Sequence, residues 1–186
     1  MYKRQSWYRG DASATAVFEL TGDTRYSYTG SWCAPGLVTS WNGSWRISGE
    51  HGSASWDGDG EPVVERVDNP PVSPGAGSGP GPDSRPVGAG GPSLLAGVAG
   101  ALAAFSEALR TGVTPHGEVH ENVPSLLMVE AAVEAADSRR RVLVDDVLAR
   151  AHAEAMATEA HPDVARVLSS WSSAADVLGL AFGTDP

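Results

Sequence analysis

The sequence predicts an α+β fold: an open, mainly antiparallel sheet with helices packed on one face, plus a C-terminal helical tail. Three observations carry this. Residues 6–67 alternate apolar and polar with a period of two, the mark of half-buried strands. Residues 93–147 change to helical spacing, and the chain from about Leu148 on continues it. Short turns join the successive strands, which makes an antiparallel meander.

Each element has its own signal. Ala12, Ala14, Ala16, Phe18 and Leu20 share one parity and Ser13, Thr15 and Glu19 the other. Thr21-Gly22-Asp23 turns the chain, and Tyr26, Tyr28 and Trp32 then share a face. Trp45 and Ile47 point together across Arg46 toward a Gly49-Glu50-His51-Gly52 turn, followed by Ala54 and Trp56. Asp57-Gly58-Asp59-Gly60 turns again into Val63-Val64 and Val67. Residues 68–92 hold seven Pro and seven Gly, show no periodicity, and read as an irregular loop within one domain.

A helix is predicted over 93–112, with Ser93 as N-cap, Gly112 past its end, and Leu94, Val98, Leu102, Phe105 and Leu109 on one face. A second runs from about Glu118 to Asp137 with Pro124 near its first turn. Leu126, Val129, Val133 and Ala136 supply its buried face. Arg141-Val142-Leu143-Val144 reads as a short strand, and Asp145 or Asp146 as the cap of a third helix. The tail splits near His161-Pro162. Its stripe of Val164, Val167, Leu168 and Trp171, continued by Val177, Leu178 and Phe182, packs on the domain or on a subunit.

The chain opens with Met1-Tyr2-Lys3-Arg4-Gln5, which resembles the translation of a transposase-type sequencing adapter. Lys3 is the only lysine among 186 residues, so residues 1–5 are expected to be a scar and are set aside. The domain is then 6–147 and the tail 148–186. Net charge is −10; without Lys3 and Arg4, 11 basic residues face 23 acidic ones, or −12. An acidic chain repels phosphate backbones, so no nucleic-acid partner is expected. Cys33 is the single cysteine, which excludes an intrachain disulfide. The longest uncharged apolar stretch, Leu94 to Ser106, is short of the ~20 residues that span a bilayer. A soluble cytoplasmic protein without a membrane partner is expected.

Two stretches, taken in order, carry a family resemblance. The first is Trp41-Asn42-Gly43-Ser44-Trp45-Arg46-Ile47-Ser48-Gly49 through Gly52 to Trp56-Asp57-Gly58. The second is Ala104-Phe105, Ala108-Leu109-Arg110-Thr111-Gly112, Glu121-Asn122, Val129-Glu130-Ala131-Ala132 and Arg140-Arg141-Val142. Together they resemble the hairpin and the closing helix–loop–helix–strand of the C-terminal domain in the glucose–fructose oxidoreductase/inositol dehydrogenase (Gfo/Idh/MocA) family, over about residues 11–147. Ser138 departs from the pattern, standing where a helix-ending Gly is common. The Gly/Pro loop is longer than usual, and the tail has no counterpart.

The resemblance implies the substrate-binding and oligomerisation half of an NAD(P)-dependent oxidoreductase acting on a sugar, inositol or related polyol. Its Rossmann domain, which holds NAD or NADP, is missing from this chain. So are the family's Glu-Lys-Pro lysine and Asp-x-x-x-His histidine. The run Gly75-Ala76-Gly77-Ser78-Gly79-Pro80-Gly81 has neither the spacing nor the strand–turn–helix context of a dinucleotide fingerprint. The chain alone is therefore expected to be inactive and to bind no cofactor, and no catalytic residue is assigned in it. The other reading is a free-standing, non-catalytic carbohydrate-binding or dimerisation module.

Trp32, Trp41 and Asn42 are the candidate substrate-binding residues. They lie in the irregular stretch 30–43, where sites gather at strand ends, and flat rings stack on the C–H face of a pyranose. Packing is the commoner use of strand aromatics. His116-Gly117-Glu118-Val119-His120 lacks the His-Glu-x-x-His spacing and reads as a helix start rather than a metal site. Asp57-Gly58-Asp59-Gly60-Glu61 begins like a calcium loop without its remainder and reads as a hairpin turn. Cys33 has no nearby base, and Arg139-Arg140-Arg141 reads as a solvated run. No metal is assigned. A face built to meet a partner domain exposes apolar area, so self-association is expected.

Overall fold

The computed structural model describes residues 10–66, 85–86 and 97–180. The expected scar, Val67, the Ser93 cap, Leu94, Phe182 and most of the Gly/Pro loop lie outside the described residues. Antiparallel strands precede helices, so the α+β class is as predicted. The chain divides into two compact units. Among the described residues, Gly10 with 32–66 and 85–86 form one, and 11–31 with 97–180 the other.

In the second unit, β1 (Ser13–Glu19) and β2 (Arg25–Ser31) form a two-stranded antiparallel hairpin. The turn is where the sequence predicts it, with Gly22 and Asp23 both at positive φ and the Leu20 amide donating to Thr24 O at 2.9 Å. The alternation also holds. Half-buried Phe18 and Tyr26 face each other across the strands and stack at 5.7 Å. The opposite face places the Thr15 and Thr29 hydroxyls together, and Glu19 pairs with Arg25 and Arg141.

The first unit is a meander of β3 (Trp45–Gly49), β4 (Gly52–Trp56), β5 (Val63–Arg66) and β6 (Arg85–Pro86), paired antiparallel in that order. The strands therefore make two sheets rather than one continuous sheet. The break falls at 32–44, where Pro35, Gly36 and Gly43 interrupt the extended backbone and no strand forms. Arg85–Pro86, inside the segment read as irregular, pairs with Val64 and Val63. Pro is tolerated there because β6 ends the strand order.

Among the described residues, five helices follow. α1 (Gly97–Thr111) ends at Gly112, whose amide donates to Ala108 O at 2.8 Å and whose φ of 72° turns the chain out of the helix. α2 (Val119–Ser138) starts at Glu118, whose carboxylate accepts from the Glu121 amide. Pro124 lies in the second turn, deeper than predicted, and leaves the His120 carbonyl without its helical donor. α3 spans Val144–Thr158, α4 Pro162–Ser170 and α5 Ala174–Val177.

Three expectations are corrected here. Residues 141–143 form no strand, because a β-branched run needs a ladder partner and Val144 already opens α3. Asp145 and Asp146 sit in the first turn of α3, where they favour the helix dipole, while Leu143 occupies the cap position. The buried face of α2 is also not the predicted one. Leu127 and Ala131 are buried with Val123 half-buried beside them, whereas Leu126, Val129, Val133 and Ala136 are exposed. Both faces of α2 are apolar, so periodicity alone does not choose between them.

The helical core joins Leu127 of α2, Leu148 of α3 and Ala174 of α5. Val123, Val144, Val147, Trp171, Leu178 and Leu180 pack against it, so the tail closes on its own unit. Leu168 and Trp171 of the predicted tail stripe turn inward while Val164 and Val167 stay exposed. His152 stacks on Trp171 at 5.4 Å, and its Nε2 lies 3.0 Å from Leu168 O, which fastens α3 to the end of α4. Glu134 and Arg150 add an ion pair between α2 and α3.

Two measurements follow from this packing. In chemical denaturation, Leu127→Ala is expected to cost about 2–4 kcal/mol and its neighbour Leu126→Ala under about 0.5; equal losses would contradict the assigned face. Arg139 caps α2 in the left-handed region (φ 57°, ψ 36°) without being glycine. Arg139→Gly is therefore expected to stabilise the fold by about 0.5–1 kcal/mol, read as a higher denaturation midpoint.

Candidate functional site

The aromatic end of the sheet unit is built from two loops that grip each other. The stretch 40–43 approaches the β4–β5 loop, and Ser40 Oγ donates to Asp59 Oδ1 at 2.7 Å. Asn42 Nδ2 donates to Gly58 O at 2.7 Å, and its backbone amide donates to Ser40 Oγ at 3.2 Å. Gly58 is buried at this crossing with φ 94°. A Cβ there would run into Gly43 O and stand 2.7 Å from Ser40 Cβ, so only glycine fits.

Asp57 organises the same loop. Its Oδ1 accepts from the Gly60 amide at 2.8 Å and the Asp59 amide at 3.0 Å, an Asx-type turn. The Gly60 N–H, and then the Asp59 N–H, hold its carboxyl below the ordinary 3.8.

Trp45 and Trp56 are direct cross-strand partners. Each indole N–H is tied to a loop carbonyl, Trp45 Nε1 to Asn42 O at 2.8 Å and Trp56 Nε1 to Gly60 O at 2.6 Å. With the polar edges fixed, the ring surfaces join Ile47, Ala54, Ser55 and Pro62 around an open apolar depression of ≈ 260 Å³. No titratable side chain lines it. It offers flat apolar contact, which is binding chemistry rather than proton or group transfer.

Of the predicted site residues, the structure brings Trp32 and Trp41 together. Their rings meet edge-on at 5.8 Å and 73°, with 66% and 89% of each residue exposed. Asn42 stands in the same stretch, and one of its amide donors is engaged by Gly58. Sequence reasoning did not find the Ser40–Asp59 link or the facing of Trp45 and Trp56. The second was legible: counting back from the Gly49↔Gly52 turn sets residue 45 opposite 56.

The remaining candidates have local partners. His120 Nδ1 lies 2.6 Å from Glu118 Oε2, and that contact is the main reason the Glu118 carboxyl lies below 4.5. His116 faces Glu121 at 3.5 Å, and Glu121 also accepts from the Gly117 amide. These contacts close the start of α2, as the helix-start reading expects. Among the described residues no three His, Cys, Asp or Glu side chains converge as metal ligands. Cys33 is half-buried. Among the described residues, no helix is long and apolar enough to cross a membrane.

No family model matches the chain, and neither curated proteins nor solved structures give a match.

The Asx turn gives a pH dependence of known sign. A carboxyl lowered by folding stabilises the loop fully above its unfolded value near 3.8, and that contribution is lost as pH falls through the lower folded value. The Asp59 and Gly60 amide resonances are expected to titrate together below that pH, and Asp57→Asn to abolish the titration. Amides that stay unchanged to pH 2 would contradict the turn.

Proposed function

We propose that this chain is the substrate-side and oligomerisation half of an NAD(P)-dependent oxidoreductase acting on a sugar, inositol or related polyol. What carries the reading is the ordered pair of sequence stretches at 41–58 and 104–142. The first forms the β3–β4 hairpin and the second spans α1, its connector and α2. In this reading the dinucleotide is held by a companion Rossmann domain and supplies hydride exchange with a carbinol carbon. The residues of this chain bind and orient the substrate. Trp32 and Trp41 stack on its C–H faces, and Asn42 holds the loop that carries Trp41. Catalytic groups lie outside these 186 residues.

Apolar surface on α1 and α2 supports the assembly part of the reading. Soluble monomers seldom leave apolar residues so exposed along two successive helices. The test is the genomic sequence in frame upstream of Ser6. A Gly-x-Gly-x-x-Gly fingerprint after a strand, and a Glu-Lys-Pro motif, are expected there. A stop codon beside a ribosome-binding site in that position would overturn the proposal.

A second reading, a free-standing carbohydrate-binding module, draws on the exposed Trp32–Trp41 pair. It predicts calorimetric binding of monosaccharides by the 186-residue chain without nucleotide, weakened about tenfold by Trp41→Ala. Absence of heat across the common hexoses and inositol would remove it.

A further inference from the structure

The loop junction at the aromatic end of the sheet unit holds a reactive pair that the proposed function does not use, Asn42 followed by Gly43. A side-chain carboxamide is open to attack by the next backbone nitrogen when that residue is glycine, because no Cβ shields the nitrogen. The chain has three asparagines, and the other two are poorly placed for this. Asn69 precedes Pro70, whose nitrogen carries no proton to lose. Asn122 precedes β-branched Val123 and lies in α2, where the helix fixes the backbone. Asn42 is exposed, and Gly43 stands at φ 79° in a stretch that forms neither strand nor helix.

The folded loop engages both reacting groups elsewhere. The Gly43 amide donates to Ser40 O at 2.9 Å. The Asn42 carboxamide is held toward the β4–β5 loop by its Nδ2 donation to Gly58 O at 2.7 Å. Ser40 Oγ steadies the pair, accepting from the Asn42 amide at 3.2 Å and donating to Asp59 Oδ1 at 2.7 Å. Reaction therefore waits on local opening of this latch, whose bonds are few and mostly exposed. A carboxylate at position 42 does not close it again. Oxygen then stands against the Gly58 carbonyl with no proton between them, on a junction that already carries Asp57 and Asp59.

We propose that Asn42 is a site of spontaneous covalent conversion to aspartate and isoaspartate, delayed by the latch that its own carboxamide completes and one-way once the carboxylate has formed. In the first step the Gly43 nitrogen loses its proton and bonds to Asn42 Cγ. The Cγ–Nδ2 bond breaks, and Nδ2 leaves as ammonia with that proton. The product is a cyclic imide. Water then adds to one of the two imide carbonyls, and the bond from that carbon to the Gly43 nitrogen breaks. Opening at Cγ leaves aspartate, and opening at the backbone carbon leaves isoaspartate, with the chain rerouted through Cβ. One water is consumed and one ammonia released, with no change of oxidation state. Hydroxide speeds the first step by taking the Gly43 proton. The consequence reaches the aromatic rings, because Trp45 Nε1 is tied to Asn42 O at 2.8 Å. The conversion does not depend on the enzymatic reading.

Peptide mapping of the 186-residue chain after incubation in water enriched with heavy oxygen tests this. Trypsin releases residues 26–46 as one peptide, since no Lys or Arg lies between Arg25 and Arg46. Digestion in ordinary water leaves any later conversion unlabelled. After incubation at mildly alkaline pH the peptide is expected to carry heavy oxygen at position 42 and to split into two isomeric products, faster as pH rises. The folded chain is expected to convert about ten- to a hundredfold more slowly than the chain in urea. Ser40→Ala and Asp59→Ala cut the latch without altering the reacting groups. Both are expected to keep the wild-type circular dichroism, to speed the folded reaction about three- to tenfold, and to match wild type in urea. In the Asn42→Asp chain the Trp45 indole N–H resonance is expected to leave its wild-type position. Equal rates in folded and urea samples, latch variants no faster than wild type, or a Trp45 resonance unmoved by Asn42→Asp overturns the proposal. So does a folded chain without label at position 42 after about a hundred of the half-lives measured in urea.

Discussion

The helical unit depends on one apolar contact, Leu127 against Leu148 against Ala174. It sets which face of α2 turns inward and brings α5 back onto α3. It also gives Trp171 a place to lie against His152. The contact is small. Among the described residues only Ala131 joins those three as a buried hydrophobic side chain. A helical unit normally gains most of its stability from burying an amphipathic face. Here α1 buries none, and α2 keeps a second apolar face exposed.

The sheet unit solves a different problem. Its strands are short, and its aromatic rings are large relative to the backbone that carries them. Polar latches supply the order that a core does not. Ser40 to Asp59, Asn42 to Gly58 and the Asp57 turn hold two loops together. The two indole N–H groups of Trp45 and Trp56 complete the set. With N–H edges tied inward, ring faces are what remains for a ligand. That favours a partner with flat C–H surface and hydroxyls at its rim, which is why a sugar or polyol fits the proposal better than an anion.

Much of the architecture was legible in the residues. The parity of Ala16 and Phe18, the Gly22-Asp23 turn and the Gly49–Gly52 turn each specify one local geometry, and the structure has all three. So does Gly112 after α1, because few other residues take that conformation. What was not legible depended on contacts distant in sequence. Leu126 and Leu127 are adjacent and chemically identical, and only α3 decides which is buried. Residues 141–143 have strand composition but no ladder to join. The candidate site was half legible. Trp32 and Trp41 were read from their irregular backbone, whereas the crossing at Gly58 joins residues some sixteen positions apart and leaves no periodic trace.

The helical unit is ordered by the contact of Leu127, Leu148 and Ala174. Hydrogen exchange of the helix amides tests this most directly. Slow exchange over α2 and α3 around Leu127 and Leu148, with faster exchange over α1, which buries no residue, is the expected result. Protection of α1 equal to that of α2 and α3 would contradict it.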